Sequence, residues 1–231
     1  MVNRKRILTK FKQHAPNLWW GDAFDVRFHL ISMLQRVSRK KILDIGCGIG
    51  VILSEIPAKT NWNVGLDISR KSLKIAKKID RDADFVLGDM HFLPFSKKTF
   101  DYVIIANALS TYDFKIDPRI LETSTPEREI EETYRVLKSH GTLLLTTPNQ
   151  KYRAYKNLRK INHEGLCKLL SLHFHFKISG FNPIPIALPE HVINRWILGD
   201  LYIKILEMLL GISSMKEIGK FFFVQAQPKL S

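Results

Sequence analysis

Between about Lys40 and Thr147, the chain alternates short apolar runs with longer stretches of helical periodicity. Short apolar runs bounded by Gly, Asp or Asn are typical of strands buried on both faces of a parallel sheet. The five predicted strands are KILDI (41–45), WNVGL (62–66), DFVLG (84–88), FDYVIIA (100–106) and TLLLTT (142–147). This alternation predicts βαβ units, and therefore a doubly wound α/β sheet with right-handed crossovers.

Three of the predicted helices carry start signals. Ser69 precedes a helix over 70–79, Thr125 and Pro126 open one over 126–138, and Asn162 precedes one over 163–172. We expect Gly141 to end the second of these helices. Two further strands are predicted at 173–179 and 220–226, and the proline-rich stretch 181–189 suits neither a central strand nor a helix interior.

The length of 231 residues fits one α/β domain over 40–231, preceded by an N-terminal helical cap over 1–39 that includes a helix at 26–37. With only two cysteines and no secretory or membrane-spanning segment, a cytoplasmic location is expected. The formal charge of +14 would attract anionic partners, although such an excess also occurs in proteins whose charges form surface ion pairs.

A glycine-rich loop follows the first predicted strand and is expected to open a helix. It contains Gly46, Cys47, Gly48 and Gly50. Glycines at such a place permit a tight turn and a close approach of backbone to a ligand. Taken alone, the loop is compatible with NAD, with FAD or with no ligand.

Acidic residues at three successive strand ends distinguish between these possibilities: Asp44, Asp67 and Asp89. Each one alone could be a turn or capping residue, but all three fall at the ligand-binding edge of an open α/β sheet. Asp44 would repel a pyrophosphate, and the G-x-G-x-G spacing differs from the dinucleotide pattern. Acids at this edge of a basic protein favour a cationic nucleoside without phosphates.

The chain resembles the class I S-adenosylmethionine-dependent methyltransferases over about residues 40–150. The matching segments are LDIGCGIG (43–50), GLDIS (65–69), GDMHFLPF (88–95), FDYVIIANAL (100–109) and EETYRVLKSHGTLLLTTPN (131–149). The resemblance implies a three-layer, Rossmann-like, seven-stranded sheet that is mostly parallel, with the last strand antiparallel. It also implies S-adenosylmethionine as the cofactor, with S-adenosylhomocysteine as its product.

The same resemblance assigns cofactor roles to individual residues. The glycine-rich loop, with Gly46, Cys47, Gly48 and Gly50, would lie along the methionine and ribose, and Asp44 would orient the amino acid part. Asp67 would hold the ribose, Ile68 would pack on the adenine, Asp89 and Met90 would contact the adenine edge, and Ala106 and Asn107 the methionine. Lys138-Ser139-His140-Gly141 departs from the usual Lys-Pro-Gly-Gly, at a structural turn.

Two flanking features are similar to small-molecule O-methyltransferases, including those of quinone biosynthesis. Trp19 and Trp20 with Arg27 precede the first strand, and Thr147-Pro148-Asn149 follow the fifth. Arg27 would then bind the methionine carboxylate in a bidentate manner. The alternative is that Arg27 is a solvated helix residue and that the tryptophans belong to the core.

The acceptor is not specified by the sequence. We expect a small-molecule or lipid-like acceptor, apolar or anionic, methylated at O, N or C by in-line displacement. The histidines show no metal spacing, and His91 and His163 are the candidate general bases. The insertion at about 181–219 is predicted to form a lid, in which the apolar helix 196–211 covers the acceptor, forms a dimer face or contacts a membrane surface.

Two alternative functions remain open. An RNA or protein methyltransferase would use the +14 charge and the cluster KYRAYKNLRK (151–160), where a solvated loop is the simpler interpretation. A non-catalytic S-adenosylmethionine-binding protein would keep the motifs without turnover. RNA is the less favoured partner.

Overall fold

The computed structural model describes residues 21–109, 125–149, 161–181 and 221–229, together with Thr9 and Gln13. Seven strands form one sheet in the order β3-β2-β1-β4-β5-β7-β6. The strands are β1 (Lys41–Ile45), β2 (Trp62–Asp67), β3 (Asp84–Leu87), β4 (Phe100–Ala106), β5 (Leu137–Pro148), β6 (Phe174–Phe181) and β7 (Phe221–Pro228). The first five run parallel, and β7 runs antiparallel to both β5 and β6. The predicted sheet, including its antiparallel last strand, is confirmed.

The strand order reverses between β1 and β4. From β1 the chain moves to β2 and β3 on one side, and then crosses to β4 and β5 on the other. Ligands of open α/β sheets bind at such a reversal, outside the carboxyl ends of the strands. The topology therefore directs attention to the loops that follow β1 and β4.

Helices cover both faces of the sheet, which gives the predicted three layers. The described helices are α1 (Gly21–Leu34), α2 (Arg70–Ile79), α3 (Pro126–Val136) and α4 (His163–Ser171). Core residues of α3 and α4 pack on one face, around Leu43, Ile105 and Leu145. Those of α1 and α2 pack on the other face, around Ile42, Ile104 and Leu144. Successive residues of a strand point to opposite faces, so neighbouring residues enter different cores.

The predicted helix starts are confirmed by capping hydrogen bonds. The side chains of Ser69, Thr125 and Asn162 accept from the backbone N–H groups of Ser72, Arg128 and Gly165. The distances are 3.2, 3.2 and 2.7 Å. Each bond satisfies a backbone donor that the helix itself leaves unpaired.

The predicted end of the helix over 126–138 was wrong. The helix ends at Val136, and Leu137 already pairs with Phe100 as the first residue of β5. Leu137 is buried in the core, and a Cβ on Gly141 would lie 2.7 Å from its side chain. Gly141 is thus a strand residue that makes room for Leu137, so it does not end the helix.

The glycine-rich loop does not open an α-helix, contrary to expectation. It is followed by turns and a short 3-10 helix, Leu53–Glu55. Ile56 is extended ahead of Pro57, as expected because proline disfavours the helical conformation of the residue before it. At the N-terminus, α1 covers Gly21–Leu34, whereas the prediction was 26–37.

Several predicted features lie outside the described residues: Trp19 and Trp20, the cluster 151–160, and the lid 181–219 apart from Phe181, which ends β6. The lid helix 196–211, with its proposed dimer or membrane contact, belongs to that part. Within the described ranges, no helix is long and apolar enough to span a membrane. The boundary at residue 39 and the lid remain predictions.

Candidate functional site

The loop after β1 lies against the loop after β4 at the point where the strand order reverses. Gly46, Gly48 and Gly50 all have positive φ, at +69°, +55° and +72°. A Cβ on Gly46 would lie 2.4 Å from the Cβ of Ala108, closer than two carbon atoms can pack. The loop after β4 can therefore approach β1 only because residue 46 has no side chain.

Asn107 shapes the other side of this junction. Its φ is +56°, which Asn tolerates better than most residues. Its backbone N–H donates to the carbonyl of Thr146 at 2.9 Å, and its side-chain oxygen accepts from the Thr146 hydroxyl at 3.1 Å. Asn107 is buried next to Ala106, so the predicted methionine contacts lie at the strand reversal.

Asp67 connects the loops after β1 and β2. One carboxylate oxygen accepts from the backbone N–H of Gly48 at 2.8 Å, and the other accepts from that of Ser69 at 2.8 Å. Each oxygen retains acceptor capacity, because a carboxylate can accept about four hydrogen bonds. Asp67 thus holds the glycine-rich loop and keeps acceptor sites available for a diol such as a ribose.

Asp44 is the most unusual residue of the site. It is 1% exposed, and neither carboxylate oxygen has a hydrogen-bond partner in the described part of the chain. Burial, only partly offset by the charge of Arg27 and reinforced by that of Asp67, raises the pKa of Asp44 to about 8. An unpaired buried carboxylate is unfavourable, and a positively charged ligand would relieve it.

Arg27 acts on Asp44 from helix α1. Along β1, Asp44 lies on the same face as Ile42, which packs against Leu30 and Leu34 of that helix. The guanidinium charge opposes the rise in the pKa of Asp44. The structure thus brings Arg27 into electrostatic reach of the strand end, as the predicted contact with the cofactor's amino acid part requires.

The thiol of Cys47, in the same loop, is not activated. Burial raises its pKa well above the usual range, and the charges of Asp44 and Asp67 add to that effect. A thiol with a raised pKa stays protonated and is a poor nucleophile. Cys47 contributes to the loop through packing, since its Sγ would be 2.8 Å from a Cβ on Gly65.

Asp89 follows β3 and holds His91. Its Oδ1 accepts from the backbone N–H of His91 at 2.9 Å and lies 2.5 Å from the ring Nδ1. The ring Nε2 lies 3.0 Å from Oε1 of Glu129 in α3. His91 is therefore held between two carboxylates, in a setting that differs from that of a free general base.

Three apolar side chains lie close to this edge. Ile68 and Phe92 are 58% and 59% exposed, and the Cε of Met90 lies 3.6 Å from the position of a Cβ on Gly46. The guanidinium of Arg128 lies 5.5 Å from the centre of the Phe92 ring. Ile68, directly after Asp67, is exposed, and its packing on the adenine remains a prediction.

Two charged residues of α3, which form an ion pair with each other, bind the backbone of the loop that contains Asp89. Glu132 accepts from the backbone N–H of Leu93 at 2.8 Å and from Arg135 Nε at 2.7 Å. Arg135 also donates to the carbonyls of Leu93 and Phe95. The hydrogen bond from Arg135, assisted by that from Leu93 and opposed by burial, lowers the pKa of Glu132.

His163 begins α4, on the side of the sheet away from β1. Its ring centre lies 6.0 Å from that of Phe222, which pairs with Thr147 near the end of β5. The Sγ of Cys167 lies 3.8 Å from its Nδ1. The structure does not bring His163 together with His91, and its role as a base remains a prediction.

The described residues form no group of three or more potential metal ligands. They do fit a cationic nucleoside, because a buried, unpaired Asp44, a carboxylate with spare acceptor capacity and an exposed Ile68 lie on adjacent strand ends. Glu129 was missed by the sequence reasoning. Its position in the first turn of α3 was visible as an acidic first turn, but its pairing with His91 was not.

The chain is similar in sequence to known methyltransferases. The sequence profile of a protein family described as a methyltransferase domain matches residues 36–193. A demethylmenaquinone methyltransferase of Thermotoga maritima is 32% identical over 151 residues, which cover 63% of this chain and 61% of that protein. A ubiquinone biosynthesis O-methyltransferase of Hydrogenovibrio crunogenus is 29% identical, covering 64% and 62%.

The fold is similar to that of a solved structure. A Thermotoga maritima protein described as an S-adenosylmethionine-dependent methyltransferase, possibly a histamine N-methyltransferase, superposes with a TM-score of 0.60. The superposition covers 97% of this chain and 96% of that one, at 17% identity. The sequence matches, in contrast, span less than two thirds of the two quinone-pathway relatives, at 61% and 62% of their lengths.

Proposed function

This chain belongs to the class I S-adenosylmethionine-dependent methyltransferase family, and we propose that it transfers a methyl group from S-adenosylmethionine to a small-molecule or lipid-like acceptor. The observation that carries the proposal is Asp44, a buried carboxylate without a described hydrogen-bond partner at the strand reversal. A ligand with an ammonium and a sulfonium group would favour the ionised form of this carboxyl, whose pKa burial raises to about 8. A pyrophosphate would add negative charge beside it.

Each cofactor group has a residue in this chain to hold it. Asp44 and Arg27 bind the charged amino acid part, and Asp67 accepts from the ribose hydroxyls. Ile68 packs on the adenine, while Asp89 and Met90 contact its edge. When bound, the cofactor supplies an electrophilic methyl group.

The main task of the chain is to position the acceptor and to exclude water. Displacement at a sulfonium needs alignment of the reacting groups, and a base is required only for an acceptor that arrives protonated. His91 is a poor candidate for that base, because both of its ring nitrogens face carboxylates. His163 remains the other candidate for that base.

The acceptor class is proposed from the relatives. One of these two relatives is named for demethylmenaquinone and the other for ubiquinone biosynthesis, and the chain matches them at 32% and 29% identity. The alternative of an RNA acceptor depends on the cluster 151–160, which lies outside the described residues. RNA binding would be tight and would fall steeply with salt concentration.

A calorimetric titration with S-adenosylmethionine, S-adenosylhomocysteine and NAD tests the proposal. We expect both sulfur nucleosides to bind and NAD to bind weakly or not at all. Asp67→Ala should weaken the binding of both, because it removes the ribose acceptor and releases Gly48. Equal or tighter binding of NAD would refute the assignment.

Turnover is tested separately on a panel of phenolic, amine and lipid-soluble quinol acceptors, with bulk RNA as a comparison. Methylation of a small acceptor supports the proposal. Cofactor binding without turnover on any acceptor would favour a non-catalytic binding protein. Methylation of RNA alone would replace the acceptor class while keeping the cofactor.

A further inference from the structure

A histidine between two carboxylates links the predicted adenine end of the site to helix α3. The Nδ1 of His91 lies 2.5 Å from Oδ1 of Asp89, and its Nε2 lies 3.0 Å from Oε1 of Glu129. The side chains of His91 and Glu129 are 7% and 2% exposed, whereas that of Asp89 is 33% exposed. Asp89 is therefore open to a ligand on one side and held from behind by a buried group.

The geometry favours one protonation state of the His91 ring. A neutral imidazole donates from only one nitrogen, and its second nitrogen would direct a lone pair at a carboxylate. An imidazolium donates from both nitrogens and satisfies both acids. Burial alone would lower the pKa of His91, but the hydrogen bonds and charges of Glu129 and Asp89 outweigh burial and raise it.

The charged groups around the ring favour the same state. Besides Asp89 and Glu129, helix α3 brings Arg128, whose Nε donates to the carbonyl of His91 at 3.2 Å. Arg128 also lies 3.9 Å from Glu132 and 3.3 Å from Glu131. With Arg135 paired to Glu132, the carboxylates around His91 outnumber the guanidinium groups, so a protonated ring offsets the excess of negative charge.

We infer that His91 is a positioning residue for the cofactor: as a doubly donating imidazolium, it braces Asp89 against Glu129 of α3. This inference rests on the proposed function, because it assigns Asp89 to the adenine edge. Without the additional proton on His91, the ring can donate to only one of the two carboxylates, and Asp89 is held against α3 less firmly. Cofactor affinity then becomes sensitive to pH through a residue that does not touch the cofactor.

The central experiment measures the dissociation constant of S-adenosylhomocysteine by calorimetry for the wild type and for His91→Asn. Asn can donate to Asp89 but cannot reach Glu129 and does not titrate. Nitrogen-15 NMR of the imidazole, assigned by difference from the variant, locates the pKa of His91. Below that pKa, we expect the variant to bind on the order of tenfold more weakly, as when an outer partner of a ligand-holding residue is removed.

Above the pKa of His91, the difference between the two proteins should shrink towards none, because the wild type has then lost the same proton. The ratio of the two constants is used because other groups of the site titrate equally in both proteins. The matched control is Glu127→Gln, an exposed acid in the first turn of the same helix. It should leave both the affinity and its pH dependence unchanged.

A second variant keeps the test decisive if His91→Asn does not fold. Glu129→Gln retains an acceptor for Nε2 but removes the charge, so the pKa of His91 and the pH at which affinity is lost should both move down. A weakening of equal size at every pH, an unchanged affinity, or a ring that NMR finds neutral at pH 6 would overturn the inference. If the wild type binds no S-adenosylhomocysteine while NMR finds a doubly protonated ring, the proposed function fails, and the inference fails with it for that distinct reason.

Discussion

Two aspartates on adjacent strands, at opposite ends of the sheet, occupy contrasting environments. Asp44, near the carboxyl end of β1, is buried without a described hydrogen-bond partner. Asp101, near the amino end of β4, accepts from the backbone N–H of Lys41 at 2.9 Å and from the ammonium of Lys138 at 3.0 Å. Burial raises the pKa of Asp44 to about 8, whereas for Asp101 the bonds to Lys41 and Lys138 outweigh burial and lower the pKa.

The residues around the two aspartates differ in the same way. At the amino end, the Trp62 indole donates to Asp84 at 2.8 Å and its ring stacks on Phe100 at 5.7 Å. The polar groups at this end therefore have partners within the chain. At the carboxyl end, Asp44 has no hydrogen-bond partner among the described residues, an arrangement typical of binding sites, where stability is given up for function.

The largest expected effect comes from Asp44→Asn. Removing the charge should weaken S-adenosylhomocysteine binding by about a hundredfold or more, the size expected when one partner of a buried charge pair is lost. The same change should raise the free energy of unfolding at pH 8.5, because an unpaired buried carboxylate is no longer present. Calorimetry and urea unfolding measure the two effects, and a variant that is both unstable and tight-binding would contradict this interpretation of Asp44.

The next effect compares two glycines in one loop. Gly46→Ala should lower the free energy of unfolding by about 2 kcal/mol, because its Cβ would meet Ala108 at 2.4 Å in a backbone conformation that alanine disfavours. Gly48→Ala has a similar positive φ but no atom within 4 Å of the added Cβ. It should cost about 1 kcal/mol of backbone strain.

Cofactor titrations on Gly46→Ala and Gly48→Ala test the two glycines further. If the open space above Gly48 is where the ligand lies, Gly48→Ala should weaken S-adenosylhomocysteine binding by more than its loss of stability explains. Unfolding curves and calorimetry on both variants test this together. Equal effects of the two substitutions on stability would show that the contact between Gly46 and Ala108 is unimportant.

The third effect is the pH dependence of stability and of cofactor affinity that Asp44 causes. The pKa is raised in the free folded chain, so the group opposes folding progressively as pH rises from about 4 to about 8. Binding a cation to the ionised form releases a proton below pH 8, and affinity should rise by up to about tenfold per pH unit there. Calorimetry in buffers of different ionisation enthalpy measures the release, which should be absent in Asp44→Asn.

The smallest effect is expected at the amino end. Asp101→Asn should lower the free energy of unfolding by less than about 1 kcal/mol at pH 7, because its lysine partner is partly exposed. The pKa of Asp101 is lowered, so its contribution is present above about pH 4 and is lost as pH falls through the lowered value. Asp101→Asn should not change the affinity for S-adenosylhomocysteine. A clear loss of affinity would contradict the proposed difference between the two ends of the sheet.

The strands and helix starts could be predicted from local patterns because each rests on neighbouring residues. Buried runs such as 41–45 and capping residues such as Ser69 express their preferences within a few positions. The end of α3 could not be predicted in this way. Leu137 leaves the helix because its side chain is buried in the core and its backbone pairs with Phe100 on a distant part of the chain.

By itself, the sequence determined the order of the elements, the glycine-rich loop and the acids at three strand ends, because those depend on spacing along the chain. Only the tertiary structure decided how these acids differ: Asp44 buried without a described partner, Asp67 bonded to two loops, and Asp89 braced by His91 and Glu129. The pKa of a carboxyl depends on its solvent, charges and donors in three dimensions. Those surroundings come from strands and helices far apart in the chain, so no local pattern could contain them.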